Sequence, residues 1–276
     1  MVLGTDLTGK MAVVTGAGGI LCGMFARTLA RAGAAVALLD INLEAAEETA
    51  RDIREAGGTA AAYGVDVMDK EMLESVHARV LARLGPCDIL INGAGGNQAR
   101  ANTSKEYFEM GDIEADVATF FDMEYKGVQG VLDLNFLGGF LTCQVFAKDM
   151  VGREGCNIIN ISSASAARPL TRIPVYSGAV AALSNFTQWL AVHFAKAGIR
   201  VNAIAPGTFP SESNGKEFME MNMPFVLRTT PMQRTGTPTD MNTVGDMDAA
   251  IVFLSSEESR YITGILLPVD GGWTCC

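Results

Sequence analysis

The stretch Met11-Ala12-Val13-Val14-Thr15-Gly16-Ala17-Gly18-Gly19-Ile20-Leu21-Cys22 decides the fold of this chain. A β-prone run enters a glycine cluster, and apolar residues at helical spacing follow at once. Strand, tight turn and helix in that order make the first part of a βαβ unit. Glycines at such a turn let backbone N–H groups approach a pyrophosphate at the positive N-terminus of the helix. Asp40 closes the next β-rich run, about twenty residues on, where a carboxylate accepts from ribose hydroxyls and repels a 2′-phosphate. Asn42, just before Leu43, suits the N-cap of the following helix better than Asp40 does.

Outward from that unit, short β-rich runs alternate with longer segments of helical period. Strands are expected at Met11–Thr15, Ala35–Asp40, Thr59–Val65, Cys87–Asn92, Asn157–Ser162, Ile199–Ala205 and Ile265–Val269. Helices are expected at Leu21–Ala32, Leu43–Ala56, Lys70–Leu84, Val128–Val151, Val175–Ala197 and Asp246–Leu254. The pattern predicts an α/β fold: a doubly wound, Rossmann-type parallel sheet of seven strands with helices on both faces. With neither repeats nor a low-complexity linker, residues 1–276 read as a single domain. Two longer stretches, near 96–126 and 208–241, begin at carboxyl ends of strands and carry helix-like apolar spacing, as lids do.

Composition narrows the function. The 276 residues are 49% hydrophobic and 19% charged, with a formal net charge of −10. No run of Lys and Arg offers a nucleic-acid footprint. Cys22, Cys87, Cys143, Cys156, Cys275 and Cys276 show no CxxC spacing and read as reduced thiols of a cytoplasmic protein. His77 and His193 lie far from any Cys or carboxylate cluster, so no metal site is expected. The start, Met1 to Lys10, shows neither an apolar core nor a basic leader. No uninterrupted apolar stretch reaches bilayer length, and no membrane partner is expected.

Further motifs follow in order: Asp66-Val67 after the third strand, Asn92-Gly93-Ala94-Gly95 after the fourth, and Asn135 within Leu132-Asp133-Leu134-Asn135-Phe136. Ser163 ends the fifth strand thirteen residues before Tyr176, and Asn202, Pro206, Gly207 and Phe209 follow from the sixth. Together these resemble the short-chain dehydrogenase/reductase family along the whole chain, down to Ile262–Trp273. The resemblance implies an NAD-dependent oxidoreductase with Tyr176, Ser163 and Asn135 as catalytic residues. Tyr176 would be the acid/base, Ser163 the bond to the substrate oxygen, and Asn135 the anchor of a relay water. A cofactor site would use Gly16, Gly18, Gly19, Ile20, Leu21, Asp40, Asp66, Val67, Asn92, Gly93, Ala94, Gly95, Tyr176, Pro206, Gly207, Phe209 and Ser211.

The chain departs from the family pattern in three places. Ile20 and Cys22 replace the second and third glycines of Thr-Gly-x-x-x-Gly-x-Gly. Either the Ile20 side chain presses on the phosphates or the turn is rebuilt around Gly19. Gly93 replaces the second Asn of Asn-Asn-Ala-Gly. Val180 stands where the family's Tyr-x-x-x-Lys motif has its cation, four residues after Tyr176 and on the same helix face. A free phenol titrates near 10, and Val180 neither lowers that value nor binds the nicotinamide ribose. Arg168 or Arg172 is one candidate substitute; a weak enzyme, or a non-catalytic NAD-binding sensor or partner subunit, is the alternative.

Asn92–Asn97, Arg168–Pro174 and Ser184–Leu190 are similar to a sugar-acid branch of the family typified by D-mannonate oxidoreductase (fructuronate reductase). That implies a secondary alcohol and ketone interconverted on a small polyhydroxy acid or polyol. A carboxylate substrate calls for a cation. Arg100, Lys105, Arg168, Arg172 and Arg228 are at hand, with Asn97, Arg168 and Arg172 the expected substrate contacts. A homotetramer or homodimer, packed through the helices at 128–151 and 175–197, is likewise implied.

Overall fold

A computed structural model describes residues 5–210 and 223–276 of the chain. Seven strands, β1 (Met11–Thr15), β2 (Ala35–Asp40), β3 (Ala60–Gly64), β4 (Ile89–Asn92), β5 (Asn157–Ile161), β6 (Arg200–Pro206) and β7 (Leu266–Val269), form one sheet. The order is β3-β2-β1-β4-β5-β6-β7, and every pair is parallel. Thr15 lies beside Leu39 of β2, and Val14 beside Ile91 of β4. The winding reverses between β1 and β4, and connections leaving that point in opposite directions open a crevice at the carboxyl edge.

Every β1 residue is buried, because helices cover both faces of the sheet. Ala12 and Val14 join one cluster with Phe25 and Leu29 of α1 (Ile20–Arg31) and Ile53 of α2 (Leu43–Glu55). Met11 and Val13 join the other with Leu73 and Val76 of α3 (Lys70–Leu84). A strand buried on both faces gains nothing from polar alternation, hence the unbroken apolar runs. Asn42 caps α2 by accepting from Ala45 N at 3.2 Å, and Asp69 caps α3 by accepting from Met72 N at 2.9 Å. At α1 the capping position is Gly19, which brings no side chain, so the first N–H groups of that helix face the crevice edge without a capping partner.

The continuous helix expected over Val128–Val151 is broken. It runs as α4 (Tyr125–Leu132), a wide π turn (Asp133–Leu137), α5 (Gly138–Phe146) and a 3-10 turn (Ala147–Met150). Asn135 sits in the π turn. Its amide nitrogen donates to Val131 O at 2.8 Å and to Gly96 O at 2.7 Å, and its oxygen accepts from Gly96 N at 3.1 Å. The helix deforms to place that amide on a loop 39 residues away. Tyr125–Met150 as a whole, though interrupted by Lys126, Asp133, Lys148 and Asp149, is long and apolar enough to cross a membrane by length and composition. Half of its most apolar window is nevertheless buried inside the protein.

Helix α6 (Pro174–Phe194) starts with proline in its first turn, where the missing N–H costs nothing. Residues 223–229 form α7, and α8 is Asp248–Ser255. Asp248, 5% exposed, gathers the return from the second long stretch. It accepts from Thr28 Oγ1 (2.7 Å), Arg31 (2.5 Å), Thr239 Oγ1 (2.5 Å) and Gly245 N (3.1 Å). Removing one member of such a buried network leaves the rest unpaired. Asp248→Ala is therefore expected to lower the free energy of urea unfolding by about 3 kcal/mol; an effect below about 1 kcal/mol would show the hub to be idle.

Candidate active site

The turn after β1 is shaped by contact with the turn after β4. Thr15 Oγ1 accepts from both Gly93 N (3.0 Å) and Ala94 N (3.1 Å), which holds the two loops together. Gly16 has φ +69°, and a Cβ there would stand 2.9 Å from Ala94 Cα, so glycine is required on both counts. At Gly18 the constraint is different. Its missing side chain makes room for Ala45 at the start of α2, and its N–H donates to Asp40 Oδ2 at 2.9 Å. Asn42 N donates to the other Asp40 oxygen at 2.8 Å. The Asp40 carboxylate is thus fixed at the end of β2 and keeps lone pairs for a diol. Ile20 and Leu21 are partly buried and pack against the apolar cluster under α1.

Cys22 and Gly93 fit one another. A Cβ on Gly93 would lie 2.2 Å from Cys22 Sγ. The thiol fills the space that a side chain at position 93 would need, and burial pushes that thiol up to about 12. The two departures from the family pattern are therefore one exchange of volume. Nearby, Gly95 lies against Asn135, whose oxygen a Cβ at 95 would meet at 2.7 Å. Asp66 is half-buried and accepts from Met68 N, and Val67 is buried against Gly138 at the start of α5. The Asn92 side chain turns inward, donating to Asn160 Oδ1 (2.8 Å) and Cys143 Sγ (3.0 Å). The Asn92 amide nitrogen is thus engaged inside the protein.

Pro206 ends β6, and Gly207 N donates to Val269 O at 3.0 Å. Phe209 is buried, with Gly236 lying flat against its ring. A cavity of about 150 Å³, lined by Gly207, Phe209, Arg234 and Asp270 among others, opens between these segments. Ser211 lies outside the described residues.

Ser163 and Tyr176 meet. Ser163 follows β5, and its side chain shares a hydrogen bond with the Tyr176 phenol. Burial pushes that phenol above its ordinary value, and the bond to Ser163 opposes the shift. Val180, four residues on, is 2% exposed and wholly apolar. Its carbonyl accepts from Ser184 Oγ (2.8 Å) and Ser162 Oγ (3.1 Å), a hydroxyl pair tying α6 to the end of β5. Arg168 is engaged elsewhere: it donates to Trp273 O at 2.8 Å and its guanidinium lies 5.1 Å from the Trp273 ring centre. The Arg172 carbonyl accepts from Thr103 N, and Asn97 is exposed.

Of the other cations, Lys105 pairs with Glu109 (3.0 Å) and Asp112 (2.6 Å), and Arg100 with Glu124 (3.4 Å). Arg228 lies near the Phe225 ring. His77 pairs with Asp149, and His193 stacks on Trp189. All six cysteines are free; Cys275 and Cys276 are exposed and the other four buried.

Residues 19–274 match the family model described as Enoyl-(Acyl carrier protein) reductase. The chain belongs to the short-chain dehydrogenase/reductase family. A Haemophilus influenzae oxidoreductase of this family is 46% identical over 98% of this chain and 94% of its own. A 3beta-hydroxysteroid dehydrogenase from Eggerthella lenta is 33% identical over 98% and 95%. Among solved structures, a candidate D-mannonate oxidoreductase from Haemophilus influenza with bound NAD superposes with a TM-score of 0.88. That protein is 44% identical and covers 98% of this chain and 96% of its own.

Two features of this short-chain fold escaped the sequence reading: the Thr15 clamp and the Cys22–Gly93 fit. Adjacent threonine and glycine hinted at the first; the second needs spatial contact to be seen. Gly93→Ala should cost about 1–3 kcal/mol through overpacking. Adding Cys22→Ala should return most of that loss in the same thermal unfolding experiment. If the double variant is no more stable than Gly93→Ala, the two positions are not exchanging volume.

Proposed function

We propose that this chain is an NAD-linked oxidoreductase that interconverts a secondary alcohol and a ketone on a small polyhydroxy acid or polyol, of the D-mannonate and D-fructuronate kind. The observation that carries the reading is the meeting of Ser163 and Tyr176 at the carboxyl edge of the sheet, beside the crevice at the β1/β4 reversal. Likeness to the NAD-bound Haemophilus protein supports both the cofactor and the substrate class.

The residues fit the dinucleotide. The uncapped start of α1 offers N–H groups to the pyrophosphate, Gly16 and Gly19 leave room for it, and Asp40 accepts from the adenosine ribose. Asp66, Val67 and the Gly93–Gly95 backbone border the adenosine, while Pro206, Gly207 and Phe209 border the nicotinamide end. NAD, when bound, supplies the hydride acceptor. Ser163 bonds the substrate oxygen, and Tyr176 takes its proton. Asn135 holds the Gly96 loop over the site, and any relay water bonds around it. Asn97 and Arg172 are the substrate contacts proposed here; Arg168, held by Trp273, braces the loop before Tyr176 instead.

Position 180 supports a second reading, a weak enzyme or a non-catalytic NAD-binding partner subunit. An apolar residue there gives the raised phenol no cation from position 180, and acid/base help is worth about 10²–10⁴-fold. A homodimer or homotetramer would cover α6, where Trp189 and Val192 are 54% and 81% exposed. Six free cysteines suit a cytoplasmic protein.

The reading is tested by NADH formation from a panel of aldonates and polyols. Only ionised Tyr176 accepts a proton, and burial moves its ionisation upward, so oxidation should climb with pH without levelling off below about pH 10. Val180→Lys should raise the neutral-pH rate by at least about tenfold and move the rise to lower pH. Tyr176→Phe should abolish turnover while NAD still binds. A Lys variant no faster than its parent would refute the account of position 180. Turnover surviving in Tyr176→Phe would refute the reaction itself.

A further inference from the structure

Three serines crowd the end of β5, and they hold different partners. Ser162 Oγ bonds the Val180 carbonyl at 3.1 Å and Ser184 Oγ at 2.8 Å, so it serves the wall of α6. Ser163 opens a short 3-10 turn, Ala164–Ala166. Its oxygen accepts from Ser165 N at 3.2 Å and from Ser165 Oγ at 3.0 Å. A serine hydroxyl has two lone pairs and one proton. With both lone pairs engaged, Ser163 has only its proton left to give. Ser165 is 2% exposed, and a buried hydroxyl seeks a protein partner, which here is the Ser163 oxygen.

We propose that Ser165 is a positioning residue: by filling both lone pairs of Ser163 Oγ, it fixes the Ser163 hydroxyl as a donor toward the Tyr176 oxygen. The inference rests on Tyr176 being the acid/base of the reaction proposed above. In the NAD complex without substrate it gives this chain a stabiliser of the phenolate that requires no cation at position 180; once substrate is bound, the same Ser163 proton turns to the substrate oxygen. Hydrogen bonds to a charged form favour that form, and the Ser163 bond acts on Tyr176 in that direction, against burial. The 3-10 turn is the structural device: it folds residue 165 back so that its N–H and O–H both reach the side chain two residues earlier.

The test reads the phenol directly. The NAD-bound protein carrying 13Cζ-labelled tyrosine is titrated by NMR, with Tyr176→Phe identifying the signal. Ser165→Ala should move the Tyr176 midpoint upward by on the order of half a pH unit, and Ser163→Ala by at least as much. Ser165→Thr, which keeps the hydroxyl, should restore the parent value, and NAD affinity should stay within about twofold throughout. If the alanine variant does not fold, Ser165→Cys carries the same test, because a thiol is a weak donor. An unmoved midpoint in the Ala or Cys variant, or no rescue by Thr, overturns the proposal. The midpoint needs no turnover. A shift without any substrate oxidation would sink the proposed reaction and leave the role of Ser165 standing; Tyr176-dependent oxidation without a shift would do the reverse.

Discussion

The closeness of two strand ends governs this molecule. β1 and β4 are neighbours in the sheet, yet their connections run to opposite faces, so their turns must pass each other at the carboxyl edge. The Thr15 hydroxyl holds that crossing by taking two successive N–H groups of the opposite turn. At this spacing a side chain at 16 has no room, and positions 22 and 93 can share one side chain between them but not two. The position of Asn135 follows from the same crossing. The loop leaving Gly93 runs to Gly96, and the amide must reach Gly96 from a helix, which widens to let it do so.

The chemical end is built on another balance. Tyr176 lies where burial disfavours its charge, and the helix turn beneath it presents a valine. Hydroxyls and amides pair in that region: Ser162 with Ser184, Ser163 with Ser165, Asn160 with Thr187. Neutral dipoles can stabilise an oxyanion when they are held in place, though each contributes less than a full charge at the same distance. Arg100 and Lys105 do not alter that balance, because acidic neighbours in their own segment already pair them.

Much of the fold was legible because a doubly covered parallel sheet leaves a strong trace: unbroken apolar strands, a cap such as Asn42, and a helix period between them. The Ser163–Tyr176 pairing was legible because both residues sit at the end of an element whose boundaries the pattern fixes. Features set by contacts between distant segments were not. The break in the helix around Asn135 depends on a loop 39 residues away, and its local sequence is as apolar as any continuous helix. The inward turn of Asn92 depends on Cys143 and Asn160, and the engagement of Arg168 on a tryptophan 105 residues later.

The π turn also acts as a phase adjuster. A straight α-helix turns about 100° per residue, so one additional residue in a single turn rotates everything beyond it by that angle. Val131, before the turn, faces Ala101 and Ala179, whereas Val145 and Phe146, after it, lie in the cluster against the sheet. One apolar rod thereby serves two surfaces that a regular helix would present out of step. Straightening residues 133–137 into a regular helix without removing one would mend the hydrogen-bond ladder yet force one half to expose what the other buries. The wide turn therefore keeps each half facing its own surface.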